Sequence, residues 1–382
     1  MTKESIMRNK EKLQKAIELR HEIHQNPDLS NQERPTYERI INFLKENAPS
    51  IEIVDKGYYV YAIYHSEHPE RPRIAFRTEV DALPIEDLID EPYKSCKPGV
   101  GHKCGHDGHA ATMCALAMEL DEFGAERDVY MIFQPAEETG DGARQCTDFI
   151  TDNDIAEIYG MHGSIDEDYG VVQTKAGLMN CASEGMCIEF KGVSTHASLP
   201  ELGKNPTLAL AKLALYCDEL EKSEGYKGLI MSTVCYMRSG DPEAYGVAAH
   251  KGCFQVTLRG SIEAEMVDLE KKVEAKAKEL AEEYGLGIAI SYSDRFPETV
   301  NDPDCVEKIF EACKRIGVPT AVRPAAERGS EDFGHFAKLT KGAMFFYCYG
   351  KDNPDMHSTE FNFHDDIIDR VIDIYDELIK MY

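Results

Sequence analysis

Along the chain, short uninterrupted apolar runs alternate with helix-like stretches, and each run leaves into a polar loop marked by glycine or proline. Arg73-Ile74-Ala75-Phe76 leads into RTEVDALP, Val129-Tyr130-Met131-Ile132-Phe133 into QPAEE, and Ile158-Tyr159-Gly160-Met161 into His162. In a strand, side chains alternate between the two faces of the sheet, so an unbroken apolar run predicts a strand buried on both. Ala110 to Leu120, rich in Ala, Leu and Met, predicts a helix between two of these strands. The pattern returns late in the chain, with a helix over 304–316, then TAVRPA, then the run Ala343 to Tyr349. This alternation predicts the α/β class.

The stretch 182–295 is patterned differently. It predicts a strand over Gly185 to Lys191, a helix over Pro206 to Ser223 and strands over Gly228 to Arg238 and Gly252 to Ser261. A helix over Ala264 to Tyr284 and a strand over Gly287 to Tyr292 complete it. The order β-α-β-β-α-β is ferredoxin-like and makes a self-contained α+β unit. With 382 residues available for two cores, the expected organisation is a discontinuous first domain, 1–181 and 296–382, interrupted by a smaller domain at 182–295.

In open α/β sheets ligands bind outside the carboxyl ends of the strands, and here those positions are acidic and imidazole-rich. Glu79 and Asp81 follow the first run, Glu137 and Glu138 the second, and His162 the third; His357 follows Ala343 to Tyr349. Cys104 and His106 sit in GHKCGHDGHA, in a loop before the Ala110 helix, where Gly105 lets the backbone turn so that both neighbours can face one centre. Thiolate, imidazole and carboxylate are the donors zinc takes, and manganese and cobalt accept similar mixed sets. Five candidates exceed the four of one tetrahedral ion, which points to two ions sharing a bridge. A cysteine near a helix N-terminus is also biased toward thiolate. Each residue has a plainer reading: Cys104 as a buried small hydrophobe, Glu137-Glu138 as solvated surface, His357 as a loop residue. His102 and His109 are left as loop or supporting residues. His21-Glu22-Ile23-His24 spaces its histidines three apart rather than the four of HExxH and is read as structural. Gly99-Val100-Gly101 is not a dinucleotide fingerprint, and neither GxSxG nor a P-loop occurs.

Composition narrows the partners. With 42 basic and 69 acidic side chains the net charge is −27, which repels nucleic-acid backbones and anionic lipid. No apolar run approaches the ~20 residues of a membrane span, and MTKESIMRNKEKLQKAIELR reads as a charged amphipathic helix rather than a signal peptide. Neither nucleic acid nor membrane is expected as a partner, and the expected compartment is the cytoplasm. The 12 cysteines are dispersed without a CxxC pair, which favours reduced, mostly buried thiols over a disulfide framework.

Taken together, HEIHQNPDLSNQE, RTEVDALPI, GHKCGHDGHAA, QPAEETGDGA, MHGS, STHASLPELGKNP, RGSEDFG and MHSTEFNFHDD resemble the M20 metallopeptidase family, in its amidohydrolase branch of aminoacylase, hippurate hydrolase and auxin-conjugate hydrolase type. The likeness runs nearly end to end. It implies a zinc-exopeptidase-like catalytic domain with a mixed twisted sheet, and an inserted lid domain that usually dimerises. It implies two divalent ions, Zn, Mn or Co, held by Cys104, His106, Glu138, His162 and His357, with Glu137 as general base. His196, in STHASLP, corresponds to a lid histidine that stabilises the substrate oxyanion, commonly across a dimer interface. The implied reaction is hydrolysis of the amide of an N-acyl amino acid or a similar small conjugate by metal-activated water. A dipeptidase or aminopeptidase-like exopeptidase on the same centre is the alternative enzyme, and a non-catalytic metal-containing small-molecule binder the alternative class. An intact Glu137 argues against the binder, which has no need of a proton shuttle.

Three stretches depart from the family pattern. RTEVDALP stands where RADMDALP is usual, placing Glu79 for an aspartate. Gly246-Val247-Ala248-Ala249 replaces a stretch like NVIPD, and Gly260-Ser261-Ile262-Glu263 replaces GTVR. Glu263 in place of an arginine would repel a substrate carboxylate, which leaves Arg259 or Arg238 as candidate anchors, or a less anionic substrate.

Overall fold

A computed structural model of the protein describes residues 10–222 and 224–382. The first nine residues, and Ser223 at the end of the expected 206–223 helix, lie outside the described residues. The chain divides into two compact units, one comprising the chain to Met179 with Val300–Ala325 and Asp332–Tyr382, the other Asn180–Thr299 with Ala326–Glu331.

The first unit is built on an eight-stranded mixed sheet. Its strands lie side by side in the order Glu52–Asp55, Val60–Tyr64, Val129–Gln134, Arg73–Glu79, Ile155–Ser164, Lys341–Cys348, Val172–Thr174 and Thr320–Val322. The central four, from Val129–Gln134 to Lys341–Cys348, are parallel to their neighbours within that group. The apolar runs noted in the sequence are these central strands, and their alternation feeds two cores. Ile74, Phe76, Met131, Phe133, Tyr159 and Phe345 enter the larger one, whereas Ala75, Tyr130, Ile132, Ile158 and Met344 enter the smaller one on the opposite face. Five helices, Lys10–Gln25, Arg34–Asn47, His106–Phe123, Pro303–Ile316 and Ile367–Ile379, supply residues to the larger core. The short helices Gly142–Gln145, Asp148–Asp152 and Gly334–Ala337 do so for the smaller.

The helix expected over Ala110 to Leu120 starts four residues earlier, at His106, and runs to Phe123. Gly105 stands at its N-cap with a φ of 93°, a left-handed turn that a residue with a Cβ adopts only at a cost. Most of this helix is buried all round, as an apolar helix flanked by others must be. It packs on the helices Lys10–Gln25, Arg34–Asn47 and Ile367–Ile379.

The second unit is a four-stranded antiparallel sheet in the order Ile230–Ser239, Lys251–Gly260, Ala182–Lys191, Gly287–Phe296. Helices Thr207–Glu221 and Glu263–Glu283 pack on one face over Met186, Ile188, Phe254, Val256 and Leu258. The connectivity β-α-β-β-α-β and this strand order are those of a ferredoxin-like unit. The Ala326–Glu331 segment belongs to this unit through Cys181 N–H, which donates to Glu327 O at 3.1 Å, and Asn180 Nδ2, which donates to Gly329 O at 3.3 Å. Among the described residues no helix is long and apolar enough to cross a membrane.

Gly108, in the first turn of the His106–Phe123 helix, lies against the Phe363 ring, where an added Cβ would come to 2.3 Å. Gly108→Ala is therefore expected to cost about 1–3 kcal/mol of stability despite alanine's better helix propensity. The denaturation midpoint in urea measures this, and an unchanged midpoint would show that Phe363 moves aside freely.

Candidate metal centre

Cys104, at the mouth of the His106–Phe123 helix, is buried, and its sulfur lies 3.3 Å from Nε2 of His162 and 3.3 Å from Nε2 of His357. His357 Nε2 is also 3.5 Å from Glu138 Oε1. His106 Nε2 faces Glu137 Oε2 at 3.9 Å and Glu138 Oε1 at 4.0 Å. These atoms form overlapping trios within reach of one ion: Cys104, His106 and His162; Cys104, Glu138 and His357; and His106, Glu137 and Glu138. Cys104 belongs to two of them. The five residues expected as ligands, with Glu137 beside them, are thus brought together from four separate chain segments.

Each donor is aimed by a specific local device. His106 opens its helix, with Nδ1 3.0 Å from the backbone oxygen of Asp81 and 3.3 Å from its carboxylate. A hydrogen bond from Nδ1 to that acceptor leaves Nε2 as the bare face, which is how a metal-ligating histidine is usually set. His162 lies inside the Ile155–Ser164 strand rather than after it, because that strand continues alongside Lys341–Cys348 with Phe346 opposite His162. His357 sits at a φ of 65°, held by its N–H donating to Lys103 O at 2.7 Å. Glu137 and Glu138 follow Ala136, whose φ is 47°. Ala136 N–H donates to the buried Glu33 carboxylate at 2.8 Å and Glu138 N–H to Asp81 Oδ2 at 3.1 Å.

Neither Nε2 of His106 nor Oε1 of Glu138 has a hydrogen-bond partner, although both atoms are buried. Unpartnered buried polar atoms are costly, and thiol, imidazole and carboxylate donors converging on one space fit divalent cations. The charge balance agrees. Burial pushes the Cys104 thiol well above its usual range and Glu138 and Glu137 push it further, which outweighs the thiolate bias expected at a helix N-terminus. Burial lowers His106, but hydrogen bonding to Asp81 and the nearby Glu79 and Glu138 lift it to about 10; burial and His109 hold His162 at about 3. A divalent charge reverses this logic for the thiol.

Behind the donors lie buried networks that spacing alone did not reveal. His109 Nδ1 meets Glu79 at 2.8 Å; Glu79 pairs with Arg77, and Arg77 also reaches Asp332 at 2.6 Å and Gln134 at 2.8 Å. Glu79 is buried, yet Arg77 and His109 hold it well below the usual carboxylate range. A second network braces the Lys103-Cys104 loop. Arg20 reaches Asp107 at 3.0 Å, His24 bridges Asp107 at 2.8 Å and Asp87 at 3.1 Å, and Lys103 pairs with Asp87. The HEIH stretch is accordingly structural through His24. His102, buried beside it with neither ring nitrogen partnered, is lowered to about 4 by burial.

His196 lies in the second unit, exposed, in the strand Thr195–His196, with Val247–Ala248 as its ladder partner. Its Nδ1 accepts from Ser198 N–H at 3.2 Å, which leaves Nε2 to carry the proton. Arg259 donates to Arg328 O at 2.8 Å and to Ser330 Oγ at 2.9 Å, so its guanidinium serves the return segment of its own unit. Arg238 is half-exposed and bonds locally to Gly240 O and Asp241. Glu263 is the first residue of the Glu263–Glu283 helix, where a carboxylate meets the positive end of the helix dipole.

The model of peptidase family M20/M25/M40 matches residues 75–381. The chain belongs to the M20 peptidase family. It is 27% identical over 373 residues to an N-acetyldiaminopimelate deacetylase of Exiguobacterium sibiricum, covering 96% of this chain and 99% of that one. It is 29% identical over 345 residues to an N-acetylcysteine deacetylase of Bacillus subtilis, covering 89% of each. The solved structure of the Bacillus subtilis YXEP protein, described as a dinuclear metal binding peptidase from M20 family, superimposes with a TM-score of 0.78 at 24% identity, over 97% of this chain and 98% of that one. At that identity the likeness is one of fold, and it bears out the α/β architecture with a large mixed sheet. Membership of M20 places the sequence motifs and the donor cluster in one known family frame.

Asp107 lies at the junction of the loop-bracing network, against the buried guanidinium of Arg20. Asp107→Asn leaves that charge paired with Asp365 alone of the two carboxylates and is expected to destabilise the protein by about 3–5 kcal/mol. Thermal or denaturant unfolding measures it, and a loss under 1 kcal/mol would mean that the network is solvent-relaxed.

Proposed function

We propose that this chain is a metal-dependent amidohydrolase that removes the acyl group from N-acyl amino acids or related small acyl-amine conjugates. The observation that carries the reading is the convergence of Cys104, His106, Glu138, His162 and His357, with Cys104 common to two trios of donors. Two trios with Cys104 in common suit two ions, which Cys104, His106, Glu138, His162 and His357 would hold between them. The deacetylase names of the relatives support an acetylated amino acid as the substrate class.

A divalent pair held there would supply Lewis acidity, acidifying a water and polarising an amide carbonyl. Glu137 takes a proton from the attacking water as its oxygen bonds to the carbonyl carbon. It then returns that proton to the nitrogen as the C–N bond breaks, giving a free carboxylic acid and an amine. Glu138, next in sequence, is a ligand, and the turn at Ala136 separates the two side chains' tasks. His196 Nε2–H is assigned to the oxyanion of the tetrahedral intermediate. The second unit is assigned as a lid and as the homodimer contact, which would bring His196 to the reacting carbonyl.

Elemental analysis of the purified protein is expected to give close to two divalent ions per chain, and a panel of N-acetyl amino acids to be hydrolysed. Glu137→Gln should keep its metal and lose about 10²–10⁴-fold in turnover. Undiminished turnover in that variant would remove Glu137 from the chemistry. Cys104→Ala should lose metal outright, and full occupancy there would remove Cys104 from the ligand set. Dipeptides in the same panel test the exopeptidase alternative, which preferential dipeptide cleavage would favour.

A further inference from the structure

Two backbone N–H groups flank Glu137, and a buried carboxylate holds each of them. Glu138 N–H donates to Asp81 and Ala136 N–H donates to Glu33 Oε1 at 2.8 Å. Asp81 also receives Ser30 Oγ at 2.8 Å, so both anchors are tied to the 28–33 stretch. Glu33 itself is 3% exposed and stands at the N-cap position of the Arg34–Asn47 helix. A residue there ordinarily turns its side chain onto its own helix N–H groups. Glu33 makes no such cap bond; its Oε1 instead accepts from Asn31 N–H at 2.9 Å and, across the fold, from Ala136.

Ala136 needs that contact. Its φ of 47° is left-handed, a conformation that costs a residue with a Cβ about 1–2 kcal/mol. The same residue's carbonyl accepts from Asp141 N–H at 3.2 Å and Gly142 N–H at 3.1 Å, which closes the loop carrying both glutamates. Gly142 leaves no room for a side chain, since a Cβ there would meet the Pro135 carbonyl oxygen at 1.7 Å. The left-handed Ala136 is therefore held through its carbonyl by this turn and through its N–H by a single buried carboxyl group from a distant segment. Rotating the Ala136–Glu137 peptide would swing the Glu137 side chain away from His106 Nε2, from which it now lies 3.9 Å.

We propose that Glu33 is a positioning residue for the general base: by accepting the Ala136 N–H it holds a left-handed turn that aims Glu137 into the centre while Glu138 stays a ligand. This rests on the assignment of Glu137 as base. Glu33 is in none of the donor groups, and its Oε1 accepts from Asn31 and Ala136 N–H, so its removal should act on kcat with KM and metal content little changed.

The test is a set of holoenzyme variants read by kcat, KM and metal per chain on an N-acetyl amino acid, with Glu137→Gln alongside. Glu33→Met removes the acceptor at constant length and is expected to lower kcat by up to about 10²-fold, the scale of an ångström of misplacement of a reacting group, with metal retained. Glu33→Asp keeps the carboxyl group but withdraws it by one methylene and should lose part of kcat, which serves if the methionine variant does not fold. Glu33→Gln keeps the acceptor oxygen and should restore most of the rate. Ala136→Gly in the Glu33→Asp background should recover part of kcat, because glycine adopts the turn without strain. Folded, metal-loaded Glu33→Met or Glu33→Asp with undiminished kcat, or a Glu33→Gln as slow as Glu33→Met, overturns the proposal while a dead Glu137→Gln leaves the base assignment standing. Undiminished turnover in Glu137→Gln overturns the base assignment, and the positioning role with it.

Discussion

Gathering a buried thiol and two buried imidazoles against the half-buried Glu138 carboxylate, with the exposed His357 closing the group, is unfavourable unless something positive satisfies them together. His106 Nε2 and Glu138 Oε1 are buried without a hydrogen-bond partner, and burial, with the neighbouring glutamates, drives the Cys104 thiol away from ionisation. A divalent charge changes the sign of each of these costs at once. The rest of the first unit is arranged to bring these groups to one point, and the buried charges just behind them, Arg20, Arg77, Lys103, Glu79, Asp87 and Asp107, are paired with one another or with His24 and His109.

That arrangement depends on parallel strands ending together. The strands Arg73–Glu79, Val129–Gln134, Ile155–Ser164 and Lys341–Cys348 run the same way and bring Asp81, Glu137, Glu138, His162 and His357 to one edge. Local backbone devices make the final adjustments. Left-handed residues at Gly105, Ala136 and His357 turn three of the segments that carry donors. Such conformations persist where surrounding contacts over-determine them, and here the contacts are identifiable: Glu33 on Ala136, Lys103 O on His357, and Tyr349 and Phe363 packed close to Gly105.

The α/β class and the central strands were legible in the sequence because strands buried on both faces must be apolar throughout. The candidate donors were legible because Glu137, Glu138 and His357 follow those strands and His162 lies near the end of one, and Cys104-Gly105-His106 because the spacing is compact. The supporting shell was not. Arg20, His24, Asp87, Lys103 and Asp107 come from three separate stretches and meet only in the folded chain, so no period or spacing announces them. Glu33 reads as an ordinary acidic residue at a helix start, and only its contact with Ala136 distinguishes it. The helix start at His106 was placed late because Gly and Asp are poor helix formers, and the left-handed Gly105 is what allows the turn to begin there. In the second unit, the apparent loss of an arginine at Glu263 coincides with a helix N-terminus that favours an acid, and Arg259 is engaged within its own unit.

The chemistry proposed for this M20 protein turns on two divalent ions that Cys104, His106, Glu138, His162 and His357 would hold. X-ray absorption at the metal edge of the purified protein tests this most directly. A sulfur scatterer at about 2.3 Å, together with a metal scatterer at about 3.5–4 Å, is expected. A shell of nitrogen and oxygen alone, with no second metal, would contradict it.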